Sequence, residues 1–340
     1  MTDVVNEASP RRQLARDDRP SVGHRLGGIL ERYGLLLLLV VMVAIFALAP
    51  ESGEAFRSAP NIRAILANQA VGFVVAIALL FPFTAGFFDF SVGATTAASS
   101  VVAATALSKF GLPLIGAVAL AIGFGLLVGA AVGYLVAFLQ MNAFIATLGM
   151  ATLLGGVIFA YTEGLQITSG IPTELTDIGS KDWFGVPQIV VVAAIVAVVA
   201  WFVLTQTVTG RRLIAAGSNP RATTLLGLSL RRIQFGAFLT SGLFGGIAGV
   251  LLLARQGAAT SDGGMSMLFP ALTAVLLSTI VIHIGRASVP GTIIGILFIA
   301  VSVSGLTLIG APAWVGPVFN GAALLLAVGF ARLTRRPRAG

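Results

Sequence analysis

The sequence predicts an all-α, polytopic transmembrane helical bundle of about ten spans with both termini cytoplasmic. Three observations predict it. Hydrophobic residues make up 57% of the chain and charged residues 10%, whereas a soluble domain carries about a quarter of its residues as charges. The mean hydropathy is +0.98, and apolar runs of about 18 residues or more, enough to cross the hydrocarbon core as helix, recur along the chain. Basic residues fall in alternate connections and at both ends, as orientation charges do. The alternating ten-residue segments of a transmembrane barrel are missing.

Residues 1–32 are polar and hold Arg11, Arg12, Arg16, Arg19, Arg25 and Arg32. They read as a disordered cytosolic tail. The apolar run Tyr33–Leu48 is too long for the h-region of a cleaved signal and lacks a small-residue cleavage site, so it is the first span. Further spans are expected near 62–82, 90–108, 113–139, 144–162, 187–207, 233–254, 268–284, 289–309 and 313–331, the first running 33–50. Pro82 is expected to stop the second. The run 113–139 is too long for one straight span and is expected to tilt or break. Its glycines, with Gly125-x-x-x-Gly129 and Gly129-x-x-x-Gly133, permit close helix approach, as do Gly242, Gly245, Gly246 and Gly249 on the seventh span. The transmembrane domain is thus 33–331, followed by a basic tail, 332–340.

Charge tests the count. The connection near 163–186 is acidic, with Glu163, Glu174, Asp177 and Asp182 against Lys181. The connection 208–232 carries Arg211, Arg212, Arg221, Arg231 and Arg232, and the C-terminal tail carries Arg332, Arg335, Arg336 and Arg338. An odd number of spans puts one basic tail outside. Eight or twelve satisfy the charges but not the hydropathy.

Several function classes drop out. The chain has no cysteine, and its two histidines, His24 and His283, stand far apart, so thiolate metal sites and disulfides are excluded. The net charge of +8 belongs to the tails and one loop, and no nucleic-acid partner is expected. HExxH, GxSxG and Walker A patterns are absent. Except for Asp89, no carboxylate lies deep in a span, which argues against proton or sodium coupling.

Four polar residues in apolar surroundings are the candidate translocation pathway: Asp89, Ser91, Asn142 and Thr147. Asp89 reads either as the N-cap of the third span or as part of a broken helix lining a polar path; the two are compatible. Asn142 reads as the cap of the fifth span, with Thr147 bonding its own backbone, or as a solute contact. Glu163 and Gln166 read as solvated, and His283 as an interfacial residue beside Arg286.

The segment Thr209–Arg232 holds a short helix. Asn219 suits an N-cap and Pro220 the first helical position. Ala222, Leu225 and Leu226 fall on one face, and Gly227 is placed for a left-handed stop. Two turns do not persist alone in water, so this helix lies against something, either the protein's own inner surface or a cytosolic partner.

At this loop the chain resembles the permease subunits of bacterial ABC importers for monosaccharides, the ribose/xylose/galactose-type branch, and more distantly the branched-chain amino-acid permeases. Gly86, Asp89, Ser91, Val92 and Gly93 match the family's G-x-x-D-x-S-V-G stretch. Asn142, Phe144, Thr147, Leu148 and Gly149 match N-P-F-I-x-T-L-G. Gly210, Arg211, Gly217, Asn219, Ala222 and Gly227 match its cytosolic loop, and Ala274, Val275, Pro290, Gly291, Thr292 and Gly295 match the last motif in part. Phe87 replaces a second glycine, Ala143 replaces the proline, and most glycines of the family's run at 278–287 are gone.

The resemblance implies a permease subunit in a bacterial plasma membrane, importing a sugar or sugar-like solute. Its coupling helix would dock on a separate ATPase through Gly217, Asn219, Pro220, Ala222, Leu225, Leu226 and Gly227. Partners would be ABC ATPase subunits, an extracytoplasmic solute-binding protein, and a second permease copy or a paralogous permease. ATP would be bound by the partner, and no cofactor or metal is expected here. The runner-up is a stand-alone facilitator or secondary transporter; a membrane scaffold or receptor subunit is a third class.

Overall fold

The computed structural model describes residues 22–282 and 285–334, with side chains from residue 33 to residue 329 in those ranges. His283 and most of both tails lie outside them. The described residues form fourteen helices and one short hairpin. In order these are α1 (Val22–Leu48), α2 (Gly53–Arg57), α3 (Ala59–Thr84), α4 (Val92–Ser108), α5 (Leu114–Ala137), α6 (Ala143–Thr162) and α7 (Thr173–Ser180). The hairpin β1 (Asp182–Trp183) and β2 (Val186–Pro187) follows. Then come α8 (Gln188–Gln206), α9 (Val208–Ser218), α10 (Pro220–Leu225), α11 (Leu230–Gln256), α12 (Met265–Ser278), α13 (Val289–Leu308) and α14 (Val315–Thr334).

The protein is an all-α membrane bundle. By length and composition α3, α5, α6, α8, α11 and α13 can each cross a membrane, and four shorter apolar helices (within α1, α4, α12 and α14) accompany them. Helix α1 begins at Val22, inside the stretch expected as tail. Pro82 does not stop the second long helix: α3 runs on to Thr84 with Pro82 inside it. The long glycine-rich run does not break either, since α5 is continuous over 24 residues.

The centre is built from α3, α4 and α11. Apolar transfer from lipid drives no helix association, so close backbone packing has to. Helices α5 and α11 cross glycine on glycine: a Cβ on Gly125 would fall 2.8 Å from Gly246 Cα, and one on Gly242 would fall 2.7 Å from Gly129 Cα. On another side of α11, a Cβ on Gly249 would meet Thr96 O at 2.5 Å, which seats α4. Thus the expected glycine faces meet each other. One buried cluster joins α3, α8, α11, α12 and α13 through Ile77, Ile189, Leu252, Val275 and Ile299; a second joins α4, α5, α6 and α11 through Ala97, Val132, Leu154 and Phe238.

Helix α8 separates two ends of the bundle. At one, α7 and the hairpin fold back: Arg255 of α11 donates to Asn68 Oδ1 (2.7 Å) and to the Gly179 carbonyl (2.8 Å), and Arg63 pairs with Asp182 at 3.1 Å. This connection was expected only as an acidic loop. At the other end lie α9, α10 and the turn between α3 and α4.

Candidate functional site

The basic segment holds two helices rather than one. Thr207 caps α9 by accepting from Gly210 N–H at 3.3 Å, and α9 packs back against α8, α11 and α3. Asn219 then serves both helices. Its N–H closes α9 on the Ala215 carbonyl (3.0 Å), and its Oδ1 accepts from Ala222 N–H (3.0 Å) to open α10, with Pro220 in the first turn. The stop is as expected: Gly227 has φ +74°, its N–H bonds the Thr224 carbonyl, and Leu228 N–H reaches the Thr223 carbonyl.

The faces of α10 are unlike. Thr223 is buried and donates its Oγ1 to the Asn219 carbonyl, and Ala222 is half-buried. Leu225 is 88% exposed and Leu226 76% exposed. The two leucines therefore stand clear of the chain's own surface, while Thr223 seats the helix against it. All five arginines of the segment are exposed around them.

Beside this loop, α3 ends in a Schellman turn. Gly86 (φ +91°) donates to the Phe83 carbonyl and Phe87 to the Pro82 carbonyl. The chain then runs without helix from Phe87 to Phe90. Asp89 does not occupy the cap position of α4; Ser91 does, because the helix starts at Val92. Asp89 acts from two residues earlier. Its Oδ1 accepts from Ser91 N–H (3.0 Å) and Ser91 Oγ (2.5 Å), and its Oδ2 accepts from Ser241 Oγ (2.8 Å). It is 3% exposed. Three donors offset much of the cost of burying a carboxylate.

Asn142 caps α6 as expected, accepting from Phe144 and Ile145 amides (2.9 and 3.4 Å). Thr147 is buried, and its Oγ1 donates to the Ala143 carbonyl at 2.8 Å. The two stretches meet through aromatic rings: Phe90 packs edge-on to Phe144, centroids 5.3 Å apart, and Phe88 lies 6.2 Å from Phe90. From Phe144 an open apolar groove of about 750 Å³ rises along the outer face of α6, past Gly149, Thr152 and Gly156. Asp89, Ser91 and Thr147 are buried within the chain and do not line that groove. Glu163 and Gln166 are exposed, as a solvated pair should be. Among the described residues no cluster of three His, Cys, Asp or Glu could hold a metal.

Sequence reasoning missed helix α9, the role of Ser241, and the contact of Gly217 with the end of α3. A Cβ on Gly217 would overlap the Thr84 carbonyl oxygen and lie 3.1 Å from the Ala85 carbonyl carbon. Only Thr207, three residues ahead of Gly210, gave a local sign of α9.

Residues 61–328 match the family described as branched-chain amino acid transport system / permease component. That span includes the Asp89 turn, the Asn142 cap and the whole basic loop. The chain belongs to this permease family. The permease is 30% identical over 303 residues to a ribose import permease protein of Haemophilus influenzae, covering 88% of this chain and 92% of the relative. To the ribose import permease protein of Escherichia coli K12 it is 32% identical over 306 residues, covering 88% and 93%. To an autoinducer 2 import system permease protein of Yersinia enterocolitica it is 30% identical over 260 residues, covering 75% and 78%. No solved structure matches the permease. It is a multi-pass protein of the bacterial inner membrane, and its relatives are transport subunits rather than enzymes.

Proposed function

We propose that this permease is the membrane subunit of an ATP-driven importer for a sugar or sugar-like solute. The relatives named for ribose and autoinducer 2 import support the solute class. The observation that carries the coupling is α10 itself. It is a helix of six residues, capped at both ends, with Leu225 and Leu226 standing in the open. Such a pair on so short a helix fits a docking knob for a separate ATPase, which binds and hydrolyses the ATP. The docking face is Asn219, Pro220, Ala222, Leu225, Leu226 and Gly227, and Gly217, seated on the end of α3, holds that helix from behind. The other partners are an extracytoplasmic solute-binding protein and a second permease, identical or paralogous.

In this reading ten helices cross the membrane and both termini are cytoplasmic, so the loop end of the bundle faces the ATPase. Residues 33–331 form the permease domain between the tails 1–32 and 332–340. Asp89, Ser91, Asn142 and Thr147 sit beside the pathway and shape it by holding backbone. Asp89 and Asn142 fix the starts of α4 and α6, while the solute travels between the paired permeases. A stand-alone facilitator is not favoured by the import relatives. The test is uptake of radiolabelled ribose, and of a panel of other monosaccharides, into proteoliposomes holding permease, ATPase and binding protein. Uptake of any of them should require internal ATP; equal uptake with the ATPase left out would sink the importer reading.

A further inference from the structure

Both ends of α10 lead back to the same five residues, Phe87–Ser91. At its N-terminal end, α10 shares Asn219 with α9. Two residues before Asn219, Gly217 lies directly on the end of α3: a Cβ there would overlap the Thr84 carbonyl oxygen, and a Cβ on Gly86 would lie 3.6 Å from Gly217 Cα. At its C-terminal end, α10 passes through Gly227 and Leu228 into α11, whose Ser241 holds Asp89 Oδ2 at 2.8 Å. Between these two attachments the chain is not helical. Among the described residues, the amides of Phe88, Asp89 and Phe90 donate to no backbone carbonyl. Helices α3 and α4 on either side are continuous and buried where they flank it, so a force applied at either attachment deforms this segment first.

We infer that the Phe87–Ser91 turn is the element the docking loop moves, with the Gly217–Thr84 backbone contact and the Asp89–Ser241 hydrogen bond as its two attachments. This rests on the docking role proposed above for α10. Gly217 and Ser241 are positioning residues that touch neither ATPase nor solute. The contact at Gly217 works because there is no side chain. Backbone meets backbone, with the Cα hydrogens near a carbonyl at a helix end, and a displacement of α9 passes to α3 with no flexible side chain to absorb it. The other attachment is a short hydrogen bond buried in the protein interior, so it resists stretching. Moving α9 and α11 apart therefore reorients Asp89 and the start of α4. Through Phe90 and Phe144 the same motion reaches the start of α6.

The experiment compares three variants of the full complex in proteoliposomes. Gly217→Ala should remain in the membrane and bind the ATPase. In this variant, ATP hydrolysis should no longer rise when the solute-loaded binding protein is added, and uptake should fall about tenfold or more, within the usual range of couplings between sites. Ser241→Ala should show the same separation of ATPase binding from stimulated hydrolysis. Leu225→Asp reports on docking alone and should lose the ATPase. If Leu225→Asp loses the ATPase while Gly217→Ala keeps normal stimulation and uptake, this inference is overturned and the docking role stands. If Leu225→Asp binds and transports normally, the docking role itself is wrong. Should Gly217→Ala fail to accumulate, Ser241→Ala decides: normal stimulation in that variant overturns the inference.

Discussion

Asp89 and Ser241, 152 residues apart in sequence, are joined by a 2.8 Å hydrogen bond in the protein interior. Asp89 takes part in no ion pair among the described residues. Its carboxyl oxygens are met by hydroxyl and amide donors alone. Replacing it with asparagine puts a donor group where an acceptor is needed, and leaving a buried polar group unsatisfied costs about 1–3 kcal/mol. Asp89→Asn should lower the melting temperature of the purified permease in detergent. A cycle with Ser241→Ala should show a coupling of about 0.5–3 kcal/mol; strict additivity would mean the bond contributes nothing.

The glycine crossing makes a sharper forecast, because two glycines on different helices have opposite surroundings. Gly242→Val would drive a side chain into Gly129 Cα and separate α5 from α11. Little folded protein should be recovered. On α6, a Cβ at Gly149 would meet nothing within 4 Å, so Gly149→Ala should be recovered at wild-type yield in a parallel size-exclusion profile.

Leu225→Asp and Leu226→Asp remove apolar surface the permease itself does not use. Surface changes of this kind usually stay within about 0.5 kcal/mol, so melting temperature should be unchanged. Transport driven by ATP should be lost. Normal uptake in both variants would count against a docking role.

Asn219→Ala removes the acceptor for Ala222 N–H and costs about 1 kcal/mol of α10 stability. Part of the docking helix then frays. The apparent affinity for the ATPase should weaken about fivefold, as 1.4 kcal/mol corresponds to tenfold. Asn219→Asp, which keeps an acceptor, should restore most of it; titration by microscale thermophoresis distinguishes the two.

At the hairpin end, Arg255 clamps α7 to α11 and to Asn68. Arg255→Ala should expose the connection 163–187 to limited proteolysis without preventing membrane insertion, since the side chain only ties α7 to the hairpin-end turns of α3 and α11. An unchanged cleavage rate would show that Gly179 packing on Ala254 holds α7 by itself.

Much of this was readable in the amino acids, for reasons that differ by residue. The caps at Asn142 and Asn219 and the stop at Gly227 are local chemistry, and each is found where the sequence placed it. The glycines of α5 and α11 announced close packing but not their partners, because helix pairing is set by three-dimensional neighbours. Pro82 misled. A proline stops a helix only if its lost hydrogen bond goes uncompensated, and late in a buried helix the cost is tolerated. Asp89 was recognised, but its partner Ser241 was not: a serine within a glycine-rich helix carries no mark of a bond to a distant carboxylate. Helix α9 was hidden because it is basic and amphipathic rather than apolar, and it is seated by glycines at both ends.

The short length of α4 has a consequence for lipid contact. Its 17 residues reach about 25 Å at 1.5 Å per residue, less than the roughly 30 Å of a hydrocarbon core. The remaining depth is left to the non-helical Phe87–Ser91 segment, in which the amides of Phe88, Asp89 and Phe90 donate to no backbone carbonyl among the described residues; lipid offers such groups no partner, so the segment has to stay inside the protein. Asp89, Ser91 and Val92 are accordingly buried, so the bundle itself shields the carboxyl and the first turn of α4 from the acyl chains.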